Sequence, residues 1–186
     1  AGKRILIFGD SLSHPGSDTE PEQHEYEGPI KSSAPGAVLA GKLVERGAAK
    51  AMTDARVSRS AVNFWSREDY RRLLHADQAF DPDIVIVMLG TNDLDLIASH
   101  DRNAMAGIRD SFLQMGAEVW AVGPPSFANR SSMERTDVVV STLKSVFGAN
   151  RFIDARALTY DMTHQWRSSD GVHFTPTGAE IFADRL

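Results

Sequence analysis

The sequence predicts an α/β fold, in which a parallel sheet of five strands is covered by helices on both faces. Three observations lead there. Ile5-Leu6-Ile7-Phe8 and Ile84-Val85-Ile86-Val87-Met88-Leu89 are unbroken apolar runs, each stopped by a glycine, and runs of this length read as strands buried on both faces. Strand-like and helix-like segments alternate from end to end, the pattern of βαβ units with right-handed crossovers. Finally, 186 residues with 42% hydrophobic side chains suit one sizeable core, and no repeat, linker or low-complexity tract divides residues 1–186.

The first strand ends at Gly9-Asp10-Ser11. His14 to Ser32 follows, a polar loop with Pro15, Gly16, Pro21, Gly28 and Pro29 and the acids Asp18, Glu20, Glu22, Glu25 and Glu27. It is either a solvated acidic loop or a flap over a substrate site. Ser33 or Ala34 leads into Pro35, a good first-turn residue, and Val38, Leu39, Leu43 and Val44 form the apolar stripe of a helix ended by Gly47. Ala49 to Val57 is more polar and suits an edge strand. Ser66 and Asp69 resemble a cap for a helix through Tyr70, Leu73 and Leu74. The third strand, Ile84 to Leu89, is β-branched and bounded by Asp81-Pro82-Asp83 and Gly90, as a central parallel strand should be. Ala104, Met105, Ile108, Phe112 and Met115 mark the next helix, and Val119 to Val122 the fourth strand. Ser131 with Glu134 reads as a capping box for a helix running to Phe147; Phe152-Ile153 is a short last strand, and Pro176 opens a terminal helix.

Composition removes several classes of function. A net charge of -5 without a basic stripe argues against nucleic acid as a partner. With no cysteine there is no disulfide, no thiol nucleophile and no Cys-ligated zinc. The longest apolar run, Ile84 to Leu89, is too short to span a bilayer. The amino terminus has no h-region of signal-peptide type, which leaves both a cytoplasmic protein and a secreted one whose signal has been removed. Asp10, Asp93 and Asp95 could suggest a cation site, but they accompany no histidine cluster, and no metal or cofactor is expected.

If the strands take the common doubly wound order 2-1-3-4-5, strands one and three are neighbours and the crevice between them is where such sheets bind ligands. Ser11 ends strand one and Gly90-Thr91-Asn92-Asp93 ends strand three, so two polar turns converge there. Ser11 alone could be a helix cap, a phosphate contact or a nucleophile. Near the carboxyl end, Asp170 stands three residues before His173 in a turn containing Gly171, a spacing that lets a carboxylate reach back to one ring nitrogen and leave the other free. Asp161 and His164 repeat that spacing, but Leu158 and Met162 four apart suggest a helix face. His14 lacks a nearby orienting carboxylate.

Together, Gly9-Asp10-Ser11-Leu12, Gly90-Thr91-Asn92-Asp93 and Asp170-Gly171-Val172-His173 make the chain resemble the GDSL family of hydrolases in its SGNH form, over almost its whole length. The resemblance implies a three-layer α/β/α sandwich like that of flavodoxin and a serine esterase or lipase acting on acyl esters, often acetylated sugars or short-chain lipids. It also implies roles: Ser11 as nucleophile, His173 as general base, Asp170 as its orienting acid and Asn92 as an oxyanion donor. The chemistry agrees, because a serine hydroxyl is a weak nucleophile until an imidazole takes its proton, and the resulting oxyanion needs donors such as the Ser11 amide and the Asn92 side chain.

One position departs from the pattern. Family members carry a glycine after the second strand whose amide is a further oxyanion donor; here no glycine occurs between Gly47 and Gly90, and Arg59 occupies that place. Its amide is expected to face the oxyanion while its guanidinium lies at the pocket mouth and reads an anionic substrate group, or else points to solvent and pairs with the acidic loop. Two other classes stay open: a catalytically idle domain of this fold that binds a glycan or acylated ligand, and a receiver-like or nucleotide-binding module, although no phosphate-holding Gly-rich loop is present. Phe64, Trp65, Phe127 and Trp166 could line a pocket or belong to the core. The expected partner is a small-molecule or glycan ester.

Overall fold

The computed structural model describes residues 2–16, 21–96 and 98–186. Its sheet has six strands in the order β2-β3-β1-β4-β5-β6. β1 (Arg4–Gly9) lies between β3 (Lys50–Ala55) and β4 (Ile84–Met88), parallel to both, and β5 (Glu118–Val122) and β6 (Phe152–Ile153) continue the parallel set. The five parallel strands thus follow the doubly wound order, with the switch point between β1 and β4.

The sixth strand corrects the expectation of five. β2 (Gln23–Tyr26) lies inside the stretch read as a loop and pairs antiparallel with β3, so β3 is not an edge strand and five of its six residues are buried. Gln23, His24 and Glu25 give no apolar signal: His24 and Glu25 are exposed, and the half-buried Gln23 donates to Asp54 Oδ2 at 3.3 Å, while Tyr26 is buried with its hydroxyl 3.1 Å from Thr53 Oγ1. Asp18 and Glu20 of the same stretch lie outside the described residues.

Alternation along the strands divides the core. Leu6 and Phe8 of β1 face α2 (Ala61–Trp65), α3 (Tyr70–Phe80), α4 (Ala98–Gln114) and α5 (Arg130–Phe147), packing with Phe64, Leu73, Met105 and Phe112. Ile7 faces the opposite way, toward α1 (Pro35–Glu45), α6 (Ala155–Thr159) and α7 (Pro176–Arg185), with Val38, Leu39, Ala179 and Phe182. Each of the large side chains among these stabilises the fold by about 1.5–3 kcal/mol. β4 is central, yet Ile84 and Ile86 are only half-buried, because α1 and α7 leave an apolar groove of about 310 Å³ over the lower half of that face.

Three helix starts differ from expectation. α2 was not anticipated; Ser60 caps it, its hydroxyl accepting the Asn63 amide at 3.0 Å while Asn63 Oδ1 accepts the Ser60 amide at 2.9 Å. Asp69 precedes α3 but caps nothing, because Arg67 and Arg72 occupy its carboxylate. At α5 the cap is Asn129, which accepts the Ser132 amide at 3.2 Å, and Glu134 pairs with Arg130 instead of closing a box with Ser131.

Candidate active site

The turn after β1 is built by close packing. Asp10 is buried, and its Oδ1 accepts the Leu12 amide at 2.9 Å while its carbonyl accepts the Ser13 amide at 3.0 Å, which closes the turn and turns Ser11 outward. The Ser13 side chain fills the space where a Cβ at either Gly9 or Gly36 would stand, so only glycine fits at both places. The Gly36 amide donates to the Leu12 carbonyl at 2.8 Å, tying the first turn of α1 to the serine turn.

His173 reaches Ser11 from 162 positions away: its Nε2 lies 2.9 Å from Ser11 Oγ. Its Nδ1 lies 2.5 Å from Asp170 Oδ2. A ring nitrogen this close to a carboxylate carries the proton, which leaves Nε2 to accept the Ser11 hydroxyl. The Asp170 carboxylate is over-determined. Its Oδ1 accepts the amides of Val172 at 2.8 Å and His173 at 2.9 Å and the Ser168 hydroxyl at 2.7 Å, around a left-handed Gly171 at φ 71. Partial desolvation pushes this carboxyl up, but the hydrogen bonds from His173, Ser168 and the two amides outweigh it and hold the group well below the ordinary carboxylate range.

The loop that carries this pair hangs on Arg167, which the sequence did not single out. Its guanidinium is buried, stacks on Phe174 at 4.1 Å, and donates to the Ser126 carbonyl at 2.6 Å and the Val172 carbonyl at 3.1 Å. Burial lowers its pKa to about 10, still far above neutrality, so the cation persists. Thr175 then caps α7, accepting the Gly178 amide at 3.1 Å, and fixes the histidine just ahead of a rigid element.

Asn92 follows β4 and is exposed at the crevice, with its Nδ2 donating to the Arg59 carbonyl at 3.0 Å. One N–H of that amide remains to be directed elsewhere. Its neighbour Asp93 is buried, and Oδ1 accepts the Ala61 amide at 2.9 Å, joining the Asn92 turn to the start of α2. Burial, followed by the nearby Asp101 carboxyl, pushes Asp93 up to about 9. Asp10 is pushed up to about 6 by burial, against the Leu12 amide and the neighbouring His173 and Arg59.

Arg59 is not where the sequence suggested. Its side chain is 1% exposed, so the guanidinium does not point to solvent. The guanidinium stands over the rings of Phe8 at 4.5 Å and Phe64 at 5.0 Å. It donates to Asp54 Oδ1 at 2.8 Å, the Asp54 carbonyl at 2.9 Å and the Gly9 carbonyl at 3.3 Å, with Glu22 of the acidic stretch 3.6 Å away. A buried carboxylate at Asp54 needs a cation, and the two aromatic rings offer a slot that a planar guanidinium fills. Its amide is also committed, donating to the Arg56 carbonyl at 3.2 Å beside a left-handed Ser58, instead of facing an oxyanion. A signal was present in the strand: Asp54 lies between Thr53 and Ala55 in a strand-like stretch, and a carboxylate buried there requires a partner.

The rival pair does not assemble. Asp161 pairs with Arg185 at 2.6 Å, His164 is exposed in a short 3₁₀ turn, and their segment is a turn after α6, not a helix face. His14 is buried with its Nδ1 3.0 Å from the Gly16 carbonyl. Phe64 and Phe127 belong to the interior, while Trp65 and Trp166 are half-buried.

A family model described as the GDSL-like lipase/acylhydrolase family matches residues 7–181. No curated protein matches the chain. Among solved structures, a lipase/acylhydrolase from Enterococcus faecalis is similar at 20% identity and TM-score 0.66, over 98% of this chain and 92% of that one. A catalytic mutant of an acetylxylan esterase from Geobacillus stearothermophilus is similar at 15% identity and TM-score 0.72, over 100% and 92%. An alpha/beta hydrolase enzyme from the metagenome of Lake Arreo, Spain, is similar at 17% identity and TM-score 0.72, over 100% and 93%. At these identities the three are likenesses of fold.

Proposed function

Because the chain belongs to the GDSL-like lipase/acylhydrolase family, we propose that it is a serine esterase that cleaves carboxylic esters of short acyl groups, acetyl among them, through an acyl-enzyme. The observation that carries this reading is the unbroken line from Ser11 Oγ to His173 Nε2 at 2.9 Å and from His173 Nδ1 to Asp170 at 2.5 Å.

In the proposed mechanism the Ser11 hydroxyl attacks the acyl carbon while His173 Nε2 takes its proton. Asp170, kept ionised by its own hydrogen bonds, holds the Nδ1 proton in place and stabilises the imidazolium. The carbonyl oxygen becomes an oxyanion and receives hydrogen bonds from the Ser11 amide and the second N–H of Asn92. His173 returns the proton to the departing alcohol, and the acyl group stays on Ser11. Water then attacks the acyl-enzyme with His173 again as base, and collapse releases the acid and restores the serine. Arg59 contributes its carbonyl, which accepts one N–H of Asn92 and so turns the other toward the substrate. The alternative of an idle domain rests on Arg59 standing where the family has glycine; the burial of its guanidinium against Asp54 favours the esterase reading.

The test is hydrolysis of p-nitrophenyl esters with acyl chains of two to twelve carbons, alongside an acetylated oligosaccharide, by the native chain and by Ser11→Ala. Fast cleavage of the shortest esters that vanishes in a folded Ser11→Ala variant supports the proposal. Equal rates for the two proteins would defeat it, and a preference for the longest chains would replace an esterase by a lipase.

A further inference from the structure

Beside the serine turn lies a cavity of about 290 Å³ lined by Arg56, Val57, Ser58, Arg59, Asn63 and Arg67. Through Arg59 it shares a wall with the turn that carries Asn92. Gly9 and Ala55 are register partners on adjacent strands, which places their backbones about 4.8 Å apart, and the Arg56 amide donates to the Gly9 carbonyl at 3.3 Å. Arg56 and the serine turn therefore leave the sheet from adjacent strands, and the same wall supplies the carbonyl that holds Asn92.

The charges in this wall are unequally committed. Arg59 is spent on Asp54, and Arg67 is spent on Asp69 and on Glu22, which it meets at 2.6 Å. Asp69 also serves Arg72 at 2.8 Å. Among the described residues Arg56 is left with Glu22 Oε1 at 3.5 Å, an oxygen that Arg67 already occupies, and its side chain is 56% exposed. Among the described residues, one Glu22 carboxylate thus faces three guanidinium groups, and Arg56 is the one with the weakest hold on it. A guanidinium keeps its charge at every working pH and binds a carboxylate through two parallel N–H groups. Val57 and Asn63 give the cavity one apolar wall and one polar wall, which suits a small organic anion more than a bare ion.

We propose that this cavity is a subsite for a carboxylate on the substrate, read by Arg56, so that the preferred substrates are esters with a free acid group on their acyl or their alcohol part. The inference rests on the esterase reading. It moves the reading of charge from Arg59, whose guanidinium is locked in the core, to the arginine that lines the cavity and remains open to solvent.

Two matched pairs of probes test it and separate the two sources of the carboxylate. Mono-p-nitrophenyl succinate against p-nitrophenyl butyrate puts the charge on the acyl side; 3-acetoxybenzoate against its methyl ester puts it on the alcohol side. The expected result is a kcat/KM ratio favouring the acid by about fivefold or more in at least one pair at low ionic strength, carried mainly by KM and shrinking as salt is added. Arg56→Gln should bring that ratio near one, and Arg56→Glu should invert it. A ratio near one in the native protein for both pairs overturns the proposal. So does an unchanged ratio in Arg56→Gln, including the case in which acid and neutral esters lose rate equally. Failure of the esterase reading itself looks different: neither neutral ester is cleaved and Ser11 takes up no fluorophosphonate, which overturns the subsite along with the mechanism.

Discussion

Exchanging Arg59 for lysine should slow catalysis through Asn92, and the size of the effect can be argued from the contacts. The guanidinium spans the ends of two strands, donating to the Gly9 and Asp54 carbonyls and to Asp54 Oδ1 while stacked on Phe8 and Phe64. That grip fixes the main chain whose carbonyl accepts Asn92 Nδ2 at 3.0 Å. Lysine keeps a charge for Asp54 but has one donor group where arginine has a fork, so the carbonyl loosens and Asn92 loses its aim. A preorganised oxyanion donor is worth about a hundredfold to a thousandfold in turnover, roughly 3–4 kcal/mol. Misaiming without removal should forfeit part of this, about tenfold in kcat, or 1.4 kcal/mol. The assay is a double-mutant cycle on kcat for p-nitrophenyl acetate, with folded fraction checked by thermal melting. Arg59→Lys should cost about tenfold in the native background and less than about twofold when Asn92 is already alanine, a coupling of about 1 kcal/mol or more. Asn92→Ala should lower kcat far more than it raises KM. Equal costs for Arg59→Lys in both backgrounds would refute the argument, since the arginine would then act on stability or on another group.

Asp170→Asn should cut kcat by about a thousandfold or more, because three donors hold the Oδ1 position as an acceptor and force the new NH2 toward His173 Nδ1, which pins the ring proton on Nε2. A loss under tenfold would contradict this tautomer argument. Asp161→Asn and His164→Ala should change activity by less than about twofold, since they remove only a surface ion pair and an exposed ring; a larger loss would point to the other dyad. Asp93 has a folded pKa raised to about 9, so its contribution to stability is fully present below the unfolded value near 4 and is lost progressively as pH rises toward and through 9. The slope from this one group should reach at most about 1.4 kcal/mol per pH unit, and Asp93→Asn should flatten it because an amide can still accept the Ala61 N–H and needs no proton. Urea unfolding between pH 6 and 9.5 checks it, and parallel slopes for the two proteins would contradict the assignment.

Periodicity and turn residues made the parallel strands and most helices legible, because continuous apolar runs ended by glycine have few other uses. β2 was not legible, since an edge strand of Gln, His and Glu exposes the side chains that would betray it. The approach of Ser11, His173 and Asp170 to one another was readable from three turns, yet Arg167 was not: its place depends on Phe174 and the Ser126 carbonyl, which only the folded chain brings to it. Arg59 was misplaced because surface exposure is the ordinary state of arginine, and a carboxylate in a strand outweighed that tendency. Asn92 was placed correctly at the crevice, while the carbonyl that holds it lies 33 positions away, a separation no local pattern encodes.

The central claim is that Ser11 is a nucleophile activated by His173, and covalent labelling tests it most directly. A fluorophosphonate should add one phosphonyl group per chain, located on Ser11 by peptide mass mapping. The adduct should be absent from Ser11→Ala, formed at least about a hundredfold more slowly in His173→Ala, and formed at native rate in His164→Ala. Labelling at a different residue, or at an undiminished rate without His173, would contradict it.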